Sequence, residues 1–223
     1  MIDFPEFQNI RKVAARERIP FSCTGCANCC KNVRDSILLN PLDVFRLVKH
    51  FREQGSVQPP EEILEDLADL KELSRGFYIY VLKTINDGGV CRLLKSGRCT
   101  VYDSRPYTCR LYPFSPDFKV DGTAQWNLCL EQPHHFEGGC VTAREWKRRY
   151  LKKEDIHFFQ EEAKRLPLIG KLLHDVPDTR LQEAEIWMLT FYYYTYSYDE
   201  PFLPQYKDNM AFLTARLKEL QNE

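Results

Sequence analysis

Four of the nine cysteines in this chain fall within eight positions, in the run F-S-C-T-G-C-A-N-C-C-K: Cys23, Cys26, Cys29 and Cys30. Thiolate sulfur is a soft ligand, and C-x2-C spacing lets one turn of backbone present two or three sulfurs to a common centre. Cys91, Cys99, Cys109, Cys129 and Cys140 follow. Metal ligation accounts for so many sulfurs more economically than burial of small apolar side chains, the competing explanation and the stronger one for Cys140 than for the others. Nine sulfurs suffice for two four-cysteine sites with one left over. An iron–sulfur cluster, 4Fe-4S by preference, and a Zn²⁺ ion both accept tetrahedral sulfur, so spacing leaves the metal open.

Cys23, Cys26 and Cys29 have the C-x2-C-x2-C spacing by which bacterial ferredoxins hold a cluster, but the usual fourth cysteine, three residues on and followed by proline, is missing. The fourth ligand must come from Cys30 or from a distant loop. Side chains of neighbours diverge, so Cys29 and Cys30 are expected to face different centres, or one of them is a free thiol. Cys91, Cys99 and Cys109 lie in C-R-L-L-K-S-G-R-C-T-V-Y-D-S-R-P-Y-T-C-R-L-Y-P, a spacing suited to ligands at the ends of successive strands. In the same segment, Arg105 and Arg110 can donate hydrogen bonds to ligating sulfurs or offset their charge, with surface ion pairing as the alternative. Tyr102, Tyr107 and Tyr112 are expected to pack around the site and exclude water. His134 and His135, between Cys129 and Cys140, are ligands of a mixed site or ordinary loop histidines. His50, His157 and His174 carry no motif.

The elements that must position these residues are short. Residues 5–18 read as an amphipathic helix through Phe7, Ile10, Val13 and Ala14, followed by the cysteine loop, where Gly25 permits positive φ. Ile37–Leu39 reads as a strand and Pro41–Phe51 as a helix, with Asn40 as N-cap and Pro41 at its first position. Residues 61–74 carry apolar positions at helical spacing (Ile63, Leu64, Leu67, Leu70, Leu73). Phe77–Ile85 is a strand run, Asn86-Asp87-Gly88-Gly89 a hairpin turn, Val90–Leu94 its second strand, Lys95–Arg98 a further turn, and Cys99–Tyr102 a short third strand. Residues 142–165, 179–198 and 206–221 read as helices separated by Pro177, Pro201 and Pro204. The expected class is therefore α+β. It comprises a small irregular cysteine-rich domain over residues 1–140 and a helical C-terminal extension over 141–223, separate or packed into the same body.

The C-x2-C-x2-C-C run, followed by G-x-C-x-V-Y-x-x-R-P-x-x-C-R-x-Y-P from Gly97 to Pro113, resembles the CxxCxxCC (YkgJ-like) family of zinc- or iron-chelating domains. The likeness covers roughly residues 20–130. It implies ligand roles for Cys23, Cys26, Cys29, Cys30, Cys91, Cys99, Cys109 and Cys129, and the bacterial or archaeal cytoplasm as the setting.

Composition excludes several other classes. At 43% hydrophobic, 28% charged and a net charge of −1, the chain has no basic field to attract nucleic acid or an anionic membrane. The cationic set Arg144, Lys147, Arg148, Arg149, Lys152 and Lys153 is interleaved with acids and reads as a solvated face. The first residues are charged where a signal peptide would be apolar, so a cytoplasmic location and reduced thiols are expected. The radical S-adenosylmethionine spacing fails at Val33, and no G-x-G-x-x-G, P-loop, G-x-S-x-G or H-E-x-x-H occurs. The aromatic run Trp187–Tyr198 is expected to be a buried helix. The leading reading is a cysteine-ligated metalloprotein that binds an iron–sulfur cluster and a second metal centre, with a redox or cluster-assisted group-transfer role. Its partners would be the metal or cluster and a protein substrate or redox protein. The alternatives are a zinc-binding structural module and a metal carrier.

Overall fold

The structure is a computed structural model that describes residues 9–33, 36–85 and 89–221. Its order is mixed, with short strands first and helices last, as an α+β chain requires. Strand β1 (Ile10–Val13) pairs antiparallel with β10 (Ala124–Cys129), which pairs with β9 (Phe114–Phe118). The expected helix over 5–18 is thus a strand in its described part. A run of four residues with β-branched ends is too short for periodicity to decide, and the free edge of β10 supplies the hydrogen bonds. Phe7 lies outside the described residues.

A second sheet has the order β2–β4–β3, from Leu38–Leu39, Phe77–Leu82 and Ala68–Ser74. The helix expected over 61–74 stops at Leu67: α3 spans Pro60–Leu67, and the second half of the segment is β3. Leu70 and Leu73 are exposed, so the leucine spacing there buries nothing. The ladder to β4, turned by Gly76 at φ +68°, overrides helical propensity. Helix α2 (Pro41–Glu53) forms as its cap foretells: the Asn40 side chain accepts the Asp43 backbone N–H at 2.8 Å, with Pro41 first in the helix.

Two small hairpins complete the cysteine-bearing region. In one, β5 (Thr84–Ile85) pairs with β6 (Val90–Cys91). Its Asn86-Asp87-Gly88 turn lies outside the described residues. In the other, β7 (Leu94–Lys95) pairs with β8 (Arg98–Cys99) across Ser96 and Gly97, both at positive φ, the geometry that a two-residue I′ turn demands. The strand expected over Cys99–Tyr102 ends at Cys99 and gives way to a 3₁₀ turn at Tyr102–Ser104. Helix α1 (Asn28–Lys31) is a single turn, and α4 is Tyr107–Leu111.

The C-terminal helices are α5 (Ala143–Tyr150), α6 (Lys153–Asp175), α7 (Leu181–Leu189) and α8 (Phe202–Leu220). A capping box of Thr142 and Glu145 starts α5, and an extended Leu151 divides the expected 142–165 helix in two. After α7 the backbone widens into a π-helical turn at Thr190–Tyr194. Tyr192, Tyr193, Tyr196 and Tyr198 are buried, so most of the aromatic run is core. Buried side chains from both halves of the chain form one continuous apolar cluster, in which Phe45 of α2 stacks on Tyr198 at 5.0 Å and Phe118 of β9 on Phe159 of α6 at 4.5 Å. Among the described residues, no helix is long and apolar enough to cross a membrane.

Candidate metal centre

The cysteine run enters the site through left-handed backbone. Gly25 (φ +68°) and Ala27 (φ +59°) reverse the chain just before α1, which carries Cys29 and Cys30. Cys91 ends β6, Cys99 ends β8 and Cys109 sits in the middle of α4. Val33 N–H donates to Gly89 O at 2.7 Å, which ties the end of the cysteine run to the β5–β6 hairpin. The Thr100 N–H and hydroxyl both donate to Leu93 O, closing the β7–β8 hairpin beside it.

These connections bring Cys29, Cys91, Cys99 and Cys109 close enough for every pair to feel one another's charge. Burial, and then the neighbouring Cys91 and Cys29, push the Cys109 thiol far up. Burial also raises Cys91, helped by Cys99 and Cys29, and raises Cys99, where Cys29 again adds to the shift. Cys29, exposed on its outer side, is driven up first by its contact with Cys30, whose Sγ lies at 4.0 Å. Arg105 works in the other direction, its positive charge favouring the thiolates of both Cys29 and Cys99. It is held by a 2.8 Å bond from Nε to Tyr102 O and by stacking over the Tyr102 ring at 3.7 Å.

The other cationic candidate is directed elsewhere. Arg110 donates to Tyr150 O at 3.2 Å and to Asp155 at 3.0 Å, and Asp155 is also paired with Arg46 at 2.5 Å. Asp155 is fully buried. Burial alone would raise its carboxyl, but the two guanidinium groups overcome that and hold it below the usual range. Arg110 therefore anchors α4, the helix that carries Cys109, to α6. Asp43 anchors the same helix from α2: its Oδ1 accepts the Tyr107 N–H at 2.8 Å, a cap that α4 lacks from its own residues. Asp43 is 1% exposed, and burial pushes its carboxyl up to about 7.

A second group joins Cys26, an expected ligand, to two histidines whose role the sequence left open. Among the described residues, Cys26, His134 and His135 form the one trio of Cys, His or carboxylate ligand atoms lying within 4.8 Å of one another. Cys26 Sγ is 3.4 Å from His134 Nε2 and 3.1 Å from His135 Nε2. The histidines occupy a 3₁₀ turn, Pro133–Phe136, that is pinned to the cysteine run by Ser22 N–H donating to His135 O at 2.9 Å. Gly139 lets the chain pass there, since a Cβ at that position would meet Phe21 O at 2.7 Å. The His134 imidazole holds the Cys26 thiol down to about 6, against the effect of burial. Tyr112 Oη lies 3.1 Å from His135 Nδ1, and Trp146 of α5 donates to Tyr112 O at 3.2 Å.

The remaining predicted residues are more scattered. Cys23 is exposed, while Cys30 and Cys129 are half-buried. Burial, and after it the charges of Cys129, Cys29, Cys26 and Cys23, raise the Tyr112 phenol. Cys129 ends β10 opposite Ile10. Cys140 is exposed and accepts from Arg18 Nε at 3.2 Å. Tyr107 packs on Phe159 at 4.9 Å and Tyr112 on Phe21 at 6.1 Å, whereas Tyr102, expected to exclude water, is 58% exposed.

Residues 22–130 match a family model described as "putative zinc- or iron-chelating domain". That model is the CxxCxxCC family, which this stretch resembles. The match spans the cysteines from Cys23 to Cys129 and stops short of His134, His135 and Cys140. No curated protein and no solved structure matches the chain.

Proposed function

We propose that this CxxCxxCC-like domain binds an iron–sulfur cluster through Cys29, Cys91, Cys99 and Cys109. The observation that carries the reading is that Val33 N–H to Gly89 O at 2.7 Å ties the end of the cysteine run, with Cys29, to the hairpin that ends in Cys91. The direction of the thiol shifts at Cys91, Cys99 and Cys109 agrees with these four sulfurs being neighbours. Four thiolates in that arrangement repel one another, and a cationic centre offsets the repulsion. Spacing favours a cluster over one ion. Zn–S bonds of roughly 2.3 Å put tetrahedral sulfurs roughly 3.8 Å apart. No three of these four sulfurs lie mutually within 4.8 Å. A cubane, with ligands on separate irons, spreads its cysteines further.

The donor set fits such a group. All four ligands are soft sulfur, the two on hairpin strands and the one on α4 are buried or half-buried, and Arg105 supplies a fixed positive charge. When bound, the cluster supplies one-electron chemistry, and the protein's levers on it are burial and hydrogen bonds to sulfur. The Cys29 side is open, so the centre is accessible to a redox partner or a protein substrate there. Anaerobically purified protein should show a broad brown absorbance that dithionite bleaches and that Cys99→Ser removes. Colourless protein with stoichiometric zinc at these cysteines would replace this reading with the structural zinc module.

A further inference from the structure

Cys26, His134 and His135 differ from the four-thiolate set in both chemistry and geometry. Zn–S of about 2.3 Å and Zn–N of about 2.05 Å at the tetrahedral angle require sulfur and nitrogen roughly 3.6 Å apart. The observed separations are 3.4 and 3.1 Å. The groups around the trio also suit a metal site. Tyr112 Oη, 3.1 Å from His135 Nδ1, can accept the Nδ1 proton in the tautomer that leaves Nε2 free to ligate, the role outer partners of metal-bound histidines play. The Asn28 backbone N–H points at Cys26 Sγ at 3.5 Å. His135 is 2% exposed and wedged against Phe21 and Tyr112, so its ring cannot swing away. His134, by contrast, faces solvent.

We propose that Cys26, His134 and His135 bind one zinc-class divalent cation, with its fourth position open to solvent, as a centre separate from the four-thiolate set. One thiolate and two imidazoles suit a borderline cation such as zinc. Three protein ligands with a fourth position free are the arrangement of zinc that exchanges ligands or acts as a Lewis acid, whereas structural zinc is closed by four. The open position takes water or an anionic oxygen or nitrogen donor. The proposal stands whichever metal the other cysteines hold.

The test is zinc and iron content of the full anaerobic chain, followed by Co²⁺ titration read by its sulfur-to-metal charge-transfer and d–d bands. About one zinc per chain, replaced by one Co²⁺ whose bands shift on adding azide, is expected. His134→Ala, at an exposed position, should weaken Co²⁺ binding by at least about a hundredfold, the upper end for loss of an outer partner, and leave iron unchanged. Cys26→Ser should abolish the charge-transfer band, and Cys23→Ala should alter neither affinity nor bands. Unchanged binding in His134→Ala would overturn the site. Loss of iron together with zinc would merge the two centres, and a Cys23→Ala protein as impaired as Cys26→Ser would close the fourth position. Absence of iron throughout, with zinc still lost on His134→Ala, would refute the cluster reading and leave this one intact.

Discussion

Asp43 offers a sharp test of how the buried polar network holds Cys109 in position. Its carboxyl is 1% exposed, caps the N-terminus of α4 through Tyr107 N–H, and has an Oδ2 without a hydrogen-bond partner. Burial raises its pKa from 3.8 to about 7, with Asp155 adding to the rise and Arg110 and Arg46 opposing it. A carboxyl with a raised native pKa binds more protons folded than unfolded between those two values. Stability therefore falls as pH rises through that window and is level above it. From pH 5 to pH 8 the loss approaches two units at about 1.4 kcal/mol each, on the order of 3 kcal/mol. Asp43→Asn keeps an oxygen to accept the Tyr107 N–H and cannot ionise. Urea unfolding of both proteins from pH 5 to pH 8 should show the variant gaining on the parent by on the order of 3 kcal/mol, nearly all of it below pH 7.5. Thiol and histidine titrations are common to the two proteins and cancel in the difference. A gap that stays constant across this range would mean that Asp43 is ionised at an ordinary pKa in the folded protein, and the argument from burial would fail.

Other expectations follow from the same geometry. Asp155→Ala leaves the half-buried Arg46 and Arg110 beside each other without their shared carboxylate and should cost about 3 kcal/mol in urea unfolding, the low end for breaking such a pair because Arg46 keeps Glu154; a loss below about 1 kcal/mol would show that the pair is solvated. Arg105→Ala removes the positive charge that favours the Cys29 and Cys99 thiolates, so the midpoint in a spectroelectrochemical titration should move to more negative potential. A positive shift would contradict the role given to Arg105. Tyr112→Phe deletes the partner of His135 Nδ1 and should weaken zinc binding by about 10–100-fold in a chelator competition, with iron content unchanged.

The sequence revealed those elements whose causes are local. Asn40-Pro41 announced α2, and Ser96-Gly97 announced the hairpin that ends in Cys99, because a cap and an I′ turn are each decided within a few residues. It misled where a partner decides the outcome: Ile10–Val13 and Ala68–Ser74 are strands because β10 and β4 lie beside them. Nine sulfurs were legible as enough for two four-cysteine sites, but how they would divide was not. Nothing in the spacing assigns Cys29, rather than Cys30, to Cys91, Cys99 and Cys109. His134 and His135 reach Cys26 across 108 and 109 residues, and a contact that long leaves no periodic trace. The adjacent histidines beyond the family motif were the only local sign. The motif left Arg110 open to sulfur or to ion pairing, and its partner Asp155 lies in a helix whose packing the motif does not encode.

The most direct test of the account is anomalous diffraction at the iron absorption edge from crystals grown anaerobically. It should give a strong peak enclosed by the sulfurs of Cys29, Cys91, Cys99 and Cys109. A map with no iron there, or with its peak held instead by Cys23, Cys26 and Cys30, would contradict it.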